Sequence, residues 1–239
     1  ISHVTSPTAV ILPVRAICEK LRRSHPGMRI CIDGPHAPAV VDLQLDRLDC
    51  DYYAASGHKW LSGPFGSGFL YVNPRMQRSL QPVIVSWGGS VSGAPPRWQD
   101  EFNWEGTRDP AAFLALPAAI EFLESVGIET FRRHSHELVQ YAREKIVALT
   151  GLMPLVPDNP EWYGPMIALP LPESLPEPTT GHMHPLQRAL WERAQIEVPV
   201  TTWRGRRLLR VSCHLYNRRE EIDMLLETLA KLLALGEDL

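Results

Sequence analysis

Short apolar runs that alternate with one helical segment constrain the fold of this chain more than any other feature of its sequence. A helix is predicted from Pro13, because apolar residues recur at helical spacing from there to the Pro-Gly pair at 26–27. Residues 28–32, 51–55 and 68–72 are short stretches typical of strands. The order of helix, strand, connection and strand predicts an α/β architecture.

The pattern of predicted helices and strands changes near residues 125–130, where we place a domain boundary. On its first side, Asp109 and Pro110 predict the start of a helix that runs to about Ser125 and that Pro117 kinks or splits. On its second side the pattern predicts a long helix, a short apolar run, a second helix and two strands, at residues 131–149, 166–171, 186–194, 197–202 and 208–212.

The last predicted helix completes a second domain of residues 128–239, which follows a first domain of residues 1–127. Asn217 with Glu220 has the form of a capping box. The apolar residues that follow form one stripe, as expected of a helix that packs on a core: Ile222, Leu225, Leu226, Leu229, Leu232 and Leu233.

Composition and spacing argue against several kinds of partner. The net charge of −3 favours neither nucleic acid nor an anionic membrane, and no apolar run reaches membrane-spanning length. The four cysteines form no CxxC pair, so a disulfide framework is not predicted and the cytoplasm is the expected location. The pair His134/His136 is not expected to bind a metal, because residues two apart on a helix point in different directions. The pair His182/His184 lies in a predicted loop without a third ligand.

A lysine directly after a predicted strand is the first candidate for chemistry. Lys59 follows Ser56, Gly57 and His58, and α/β sheets bind ligands at the carboxyl ends of their strands. Small residues let backbone N–H groups approach an anion, and a hydroxyl and an imidazole can bind a phosphate. A lone lysine at such a place is more often a surface residue of a turn, so this prediction depends on a partner.

Asp33, at the end of the preceding predicted strand, is that partner. A carboxylate there can pair with a protonated pyridine nitrogen and keep the ring an electron sink, and His36 could reach a ring oxygen or stack nearby. An Asp-Gly pair by itself is common in turns. Followed at this distance by Ser-Gly-His-Lys, it predicts a pyridine cofactor.

Four runs in this order resemble the class V aminotransferase superfamily of pyridoxal-phosphate enzymes. They are Asp-Gly-Pro-His-Ala at 33–37, Ser-Gly-His-Lys-Trp at 56–60, Gly-Pro-Phe-Gly-Ser-Gly at 63–68 and Glu-Gly-Thr-Arg-Asp at 105–109. Within the superfamily, Ser-Trp-Gly at 86–88 and Arg-Val-Ser at 210–212 before Tyr-Asn at 216–217 are most similar to the isopenicillin N epimerase group.

The resemblance implies a fold of the pyridoxal-phosphate transferase type (fold type I), with a mixed or mostly parallel sheet and a smaller α+β carboxyl-terminal domain. It also implies that Lys59 forms a Schiff base with pyridoxal 5′-phosphate and that Asp33 pairs with its pyridine nitrogen. His36 would contact the ring hydroxyl side, while Ser56 and His58 would hold the phosphate.

The resemblance further implies a homodimer with shared active sites, because Thr107 would reach the phosphate of the neighbouring subunit. Arg210 would bind the carboxylate of a small amino-acid substrate, a task suited to its planar fork of donors. Thr5, near the end of the first strand segment, is a further cofactor candidate.

The sequence leaves the reaction open among epimerisation, transamination and carbon–sulfur lysis, all of which move a proton at the α-carbon. Cysteine desulfurase chemistry is disfavoured, because residues 196–209 contain no cysteine and Cys213 lies beyond Arg210. Full-length members of the superfamily are longer, so the chain resembles their carboxyl-terminal portion. A truncated, non-catalytic chain is therefore the opposing hypothesis.

Overall fold

The computed structural model describes residues 1–90, 97–176 and 183–235, which form two compact units. The first unit contains Ile1–His3, Pro13–Pro38 and Asp42–Phe122. The second contains Val4–Leu12, Ala39–Val41 and Leu123–Leu239. Two short amino-terminal segments thus belong to the second unit, and the division into domains at residue 127 stays a prediction about the whole protein.

A three-stranded mixed sheet lies at the centre of the first unit. Its strands are β1 (Cys31–Asp33), β2 (Tyr52–Ser56) and β3 (Gly68–Val72), in that order. β1 and β2 are parallel, whereas β2 and β3 are antiparallel. Ser2 forms a parallel bridge with Asp33, so the start of the chain runs beside β1. The predicted α/β class and mixed sheet are confirmed.

The first helix and the first strand differ in how well the sequence predicted them. Helix α1 (Val14–Ser24) follows Pro13 as expected, but β1 begins three residues later than the predicted residue 28. The reason is that side chains satisfy the backbone before β1. Arg22 donates to the Met28 carbonyl at 2.6 Å, and the Ile30 N–H donates to the Asp51 carboxylate at 2.7 Å.

Asp51 is the buried anchor of the first unit, with 2% of its surface exposed. Arg22 of α1 donates to one carboxylate oxygen at 2.7 Å, and Arg75 donates to the other at 2.9 Å. Burial raises the pKa of the Asp51 carboxyl, but the two guanidinium groups and the Ile30 N–H outweigh burial and lower it overall. The carboxylate therefore joins α1, the start of β1 and helix α2 (Pro74–Gln77).

The remaining helices of the first unit are short, except for α6. They are α3 (Trp87–Ser90), α4 (Asp100–Asn103), α5 (Ala111–Leu114) and α6 (Leu116–Val126), whose last residues belong to the second unit. The break between α5 and α6 confirms the predicted split. Pro117 lies in the first turn of α6, where its missing N–H costs no hydrogen bond.

The second unit packs three helices against an antiparallel sheet of order β4-β6-β5. Its elements are α7 (Ile128–Thr150), β4 (Met166–Pro170), α8 (Pro185–Ala194), β5 (Val200–Trp203), β6 (Arg206–Ser212) and α9 (Arg219–Leu233). All five residues of β4 are buried, so this strand lies in the core rather than at its surface. The apolar stripe of α9 is confirmed, with Ile222, Leu225, Leu229 and Leu232 buried.

The predicted capping box of α9 is wrong by one residue. Glu221, not Glu220, accepts from the Arg218 N–H at 3.0 Å. The Asn217 side chain is oriented differently from the prediction, because its Oδ1 accepts from the His214 N–H at 2.8 Å. Its amide then donates to Glu221 at 3.0 Å, and these bonds lower the pKa of the Glu221 carboxyl.

Within residues 1–90, 97–176 and 183–235, no single helix is long and apolar enough to cross a membrane; only the pair Ala111–Val126 and Ile128–Thr150, bent by 77°, meets that test together. Nor do these residues contain a group of three or more His, Cys, Asp or Glu side chains that could hold a metal. His134 instead faces the Asn217 carbonyl, and His184 caps α8; His182 lies outside the described residues.

We expect Asp51→Asn to lower the free energy of unfolding at neutral pH by about 3 kcal/mol, because the partly buried Arg22 guanidinium then faces an amide instead of the buried carboxylate. The folded-state pKa of Asp51 lies below its ordinary value of 3.8, so this stabilisation exists above that value and is lost as the pH falls through the lowered pKa. Urea titrations of both proteins at neutral and acid pH measure it.

Asp49→Asn is the matched control, because Asp49 contacts the same two arginines with its side chain 48% exposed. Its effect should be small. A difference between Asp51→Asn and the wild type that persists unchanged in acid would contradict the assignment.

Candidate active site

Two parallel strands end at the same edge of the first sheet, and the candidate residues follow them. Asp33 is the last residue of β1, and Ser56 is the last residue of β2. Asp33 pairs with Ala54 in the parallel ladder, and the Gly34 N–H donates to the Ala54 carbonyl at 2.8 Å. The carboxyl ends of parallel strands are the ligand-binding edge of α/β sheets.

A neutral pair of side chains supports the turn after Asp33. Tyr53 is fully buried, and its hydroxyl lies 2.7 Å from Nδ1 of His3. Burial lowers the pKa of His3 to about 4 and raises that of Tyr53, so both groups are uncharged at neutral pH. A side chain at Gly34 would place its Cβ 2.1 Å from the Tyr53 hydroxyl, so only glycine fits. The sequence reasoning missed His3 and Tyr53; the inward alternation of β2 was the available signal.

Backbone hydrogen bonds of Gly57 close the loop that carries the lysine. Its N–H donates to the Ser67 carbonyl at 2.9 Å, and its carbonyl accepts from the Gly63 N–H at 2.8 Å. A Cβ at Gly57 would lie 2.6 Å from the Ser67 hydroxyl oxygen. Within this loop the Lys59 carbonyl accepts from the Ser62 N–H at 3.0 Å. The small residues before Lys59 therefore make the close approach of the two ends of the loop possible.

The structure brings Lys59 and His36 together. Nζ of Lys59 lies 3.1 Å from Nε2 of His36, and the Trp60 indole N–H donates to Nδ1 of His36 at 3.3 Å. His36 and Trp60 are buried, each 8% exposed, while Lys59 is half-buried. The amine is therefore partly shielded from water and lies beside an imidazole.

His58 presents a buried nitrogen with no partner in the described part of the chain. Its ring stacks on Phe65 with the centroids 5.1 Å apart, and its Nδ1 makes no hydrogen bond. Ser56, two residues earlier, ends β2 beside Gly68. A buried polar atom without a partner is costly, so a bound polar group such as a phosphate would satisfy it. The residues present thus fit a pyridoxal-phosphate site.

Thr107 is exposed in the loop between α4 and α5. Arg108 shapes this loop by donating to the Glu105 carboxylate at 3.1 Å and to the Asn103 carbonyl at 3.2 Å, with its guanidinium over the ring of Phe113. The hydroxyl of Thr107 is thus presented at the surface of the first unit.

Arg210 belongs to the second unit, where it lies on β6 opposite Ala168 of β4. Its Nη1 donates to the Ser6 carbonyl at 2.8 Å and to the Ser6 hydroxyl at 2.9 Å. Its Nε is buried and has no partner among the described residues, and burial lowers the pKa of the guanidinium. A desolvated guanidinium with an unused hydrogen-bond donor is suited to bind an anion.

Thr5 organises the loop that presents Ser6. Its hydroxyl lies 2.6 Å from that of Thr8 and accepts from the Val10 N–H at 2.9 Å. Its backbone N–H also donates to the Val10 carbonyl at 3.0 Å. Through these contacts Thr5 holds the two ends of the loop of residues 5–10 together. The neighbouring Ser6, which the sequence did not predict, binds Arg210.

Cys213 lies just beyond β6 and is 1% exposed. Burial raises the pKa of its thiol to about 12, so the reactive thiolate is scarce at neutral pH. The described β5–β6 hairpin, Val200–Ser212, contains no cysteine. The described structure thus presents no cysteine nucleophile in this hairpin.

Known proteins resemble the chain over nearly its whole length. It is 39% identical to isopenicillin N epimerase of Streptomyces clavuligerus over an alignment of 239 positions that covers 95% of this chain and 58% of that protein. It is 40% identical to the isopenicillin N epimerase of Amycolatopsis lactamdurans, over 97% of this chain and 58% of that protein. The chain therefore spans less than two thirds of the length of these relatives.

A solved structure shows the same fold at lower identity. The apo cysteine desulfurase of Thermococcus onnurineus NA1 superposes with a TM-score of 0.76 and 22% identity, covering 98% of this chain and 59% of that one. The sequence profile of the aminotransferase class-V family, whose members are pyridoxal-phosphate-dependent, matches residues 1–225. The chain belongs to the class V aminotransferase family.

Proposed function

We propose that this chain carries the lysine-bearing part of a pyridoxal-phosphate enzyme that acts at the α-carbon of an amino acid, most like the isopenicillin N epimerases. The observation that carries the proposal is the position of Lys59, which lies in the loop that Gly57 closes after β2, while Asp33 ends the parallel neighbour β1 at the same edge of the sheet. The identity of about 40% to two isopenicillin N epimerases favours epimerisation over transamination or carbon–sulfur lysis.

The residues at the sheet edge suit the parts of this cofactor. Asp33 would pair with the pyridine nitrogen, and Ser56 and His58 would hold the phosphate, which satisfies the buried Nδ1 of His58. His36 would lie on the ring hydroxyl side. When bound, pyridoxal phosphate supplies an electron sink for the bond that breaks at the α-carbon.

Lys59 would then act as the base that takes a proton from the substrate α-carbon and returns one to it. Half-burial of its amine keeps bulk water from competing for that proton. For net inversion, the proton that is returned has to reach the opposite face of the α-carbon, from a second acid.

Arg210 would bind the α-carboxylate of the substrate. Its Nη1 is already engaged by Ser6, so the edge formed by Nε and Nη2 is the one left for a carboxylate. Two parallel N–H donors along that edge match the two carboxylate oxygens. Ser6 thus orients the fork that receives the ligand.

We also propose that the active enzyme is a homodimer in which Thr107 reaches the cofactor phosphate of the neighbouring subunit. The loop and helices around Thr107 leave large apolar side chains exposed, including Trp104, Leu114 and Phe122 at 49%, 74% and 57%. Several large apolar side chains exposed in one segment are typical of surfaces that bind another protein.

Incubation with pyridoxal phosphate and borohydride should leave a stable cofactor adduct on Lys59, detected by visible absorbance before reduction and by peptide mass spectrometry after it. Lys59→Ala should abolish the adduct because the other amines lack this pocket. Lys145→Ala is the matched control, since Lys145 is exposed on α7. An adduct that survives in Lys59→Ala contradicts the assignment, and no adduct in the wild type supports the non-catalytic alternative.

In D2O, the cofactor-loaded chain should exchange the α-proton of an accepted amino acid and convert its L form to the D form without net loss of substrate. NMR and chiral chromatography of a panel of amino acids measure both. Release of a keto acid would instead indicate an aminotransferase, and release of pyruvate from a cysteine-type substrate would indicate a lyase.

Arg210→Lys should raise the amino-acid concentration needed for half-maximal exchange by roughly tenfold, because an ammonium lacks the two-pronged fork. Ser6→Ala should show a smaller effect of the same kind, and Ser6→Thr, which keeps the hydroxyl, should restore most of it. Arg206→Lys, at an exposed site on the same strand, is the control. Equal effects of the Arg206 and Arg210 changes would refute a specific role for Arg210.

A further inference from the structure

Trp60, His36 and Lys59 form a directional chain of hydrogen bonds within the first unit. The indole N–H of Trp60 donates to Nδ1 of His36 at 3.3 Å, and Nε2 of His36 lies 3.1 Å from Nζ of Lys59. Both His36 and Trp60 are 8% exposed. The orientation of the imidazole is therefore set by neighbours inside the protein rather than by water.

The chemistry of the indole decides which imidazole nitrogen carries the hydrogen. An indole N–H donates and cannot accept, so Nδ1 of His36 has to be the acceptor in this contact. In a neutral imidazole the hydrogen then lies on Nε2. The opposite tautomer would place two N–H groups against each other, at Trp60 and at Nδ1.

The tautomer in turn decides whether His36 donates a hydrogen bond to the lysine or accepts one from it. With its hydrogen on Nε2, His36 donates towards Nζ of Lys59. A neutral amine has a lone pair that accepts this hydrogen bond, whereas an ammonium has three donors and no acceptor. The contact therefore favours the uncharged amine.

We propose that Trp60 is a positioning residue that fixes the Nε2–H tautomer of His36, and that His36 thereby stabilises the neutral, nucleophilic form of Lys59. The inference deepens the proposed function, because the neutral amine is the form that attacks a carbonyl carbon. It does not depend on bound cofactor, since all three side chains belong to this chain and meet without one.

His184 provides an internal standard for the tautomer. Its Nδ1 accepts from the Leu186 backbone N–H at 3.1 Å at the start of α8, so it also carries its hydrogen on Nε2 when neutral. It lies in the second unit and does not depend on Trp60. A change at Trp60 should leave it unaffected.

The test is a long-range ¹H–¹⁵N NMR spectrum of the full chain with ¹⁵N-labelled histidine, recorded without pyridoxal phosphate. We expect the Nδ1 resonance of His36 in the unprotonated range and its Nε2 resonance in the protonated range, as for His184. Trp60→Phe, which keeps an aromatic ring but removes the donor, should shift His36 towards the other tautomer and leave His184 unchanged.

The same samples report the state of the lysine. Reductive methylation with formaldehyde and cyanoborohydride at neutral pH, quantified by mass spectrometry, should label Lys59 several-fold more slowly in Trp60→Phe, with Lys145 unchanged as the reference. The proposal is overturned if wild-type His36 carries its hydrogen on Nδ1 or on both nitrogens. It is overturned equally if a folded Trp60→Phe changes neither the tautomer nor the labelling rate.

These outcomes are separate from those of the cofactor experiment. The wild-type spectrum decides the tautomer even if Trp60→Phe does not fold. A chain with the expected tautomer that forms no cofactor adduct refutes the proposed function but not the hydrogen-bond chain. An adduct on Lys59 with the opposite tautomer refutes the hydrogen-bond chain but not the proposed function.

Discussion

The candidate site of the first unit depends on the parallel pairing of β1 with β2. Parallel strands end at the same edge of a sheet, so this pairing places the end of β1, with Asp33, beside the end of β2, with Ser56. The pairing is itself held from the opposite end by Asp51, whose buried carboxylate binds two arginines and the Ile30 N–H. Moving this carboxylate away from its partners would leave a buried charge uncompensated, which is costly.

Close packing around small residues then shapes the loops that carry the candidate residues at that edge. Gly34 leaves room for the Tyr53 hydroxyl, and Gly57 allows both ends of the lysine loop to meet. Each glycine is required by a neighbouring atom rather than by backbone flexibility. Polar atoms that have no partner among the described residues, such as Nδ1 of His58, are where a ligand gains most from binding.

Proteins of this fold are named for different reactions, so the fold by itself does not decide the chemistry. The structural relative named as a cysteine desulfurase shares 22% identity with the chain, which establishes the fold alone. The side chains of this chain are more informative. Burial raises the pKa of the Cys213 thiol, whereas the buried Nε of Arg210 has no partner in the part of the chain that the structure describes. The Cys213 thiol is therefore poorly suited to act as a nucleophile, whereas the Arg210 guanidinium is suited to bind an anion.

The sequence alone determined the family, the α/β class and most elements, because periodicity and turn residues act over a few positions. β3 was predicted at its observed bounds, and the break before Pro117 follows from proline geometry. The start of β1 was misplaced because the Arg22 side chain binds the Met28 carbonyl before the strand begins. The cap of α9 was misplaced because the Asn217 side chain binds the His214 N–H instead of the helix. Only the tertiary structure decided that Ser6 meets Arg210, 204 residues away, and that Trp60 orients His36 towards Lys59. Hydrogen-bond partners depend on which segments approach each other in space, and local sequence patterns do not encode that approach.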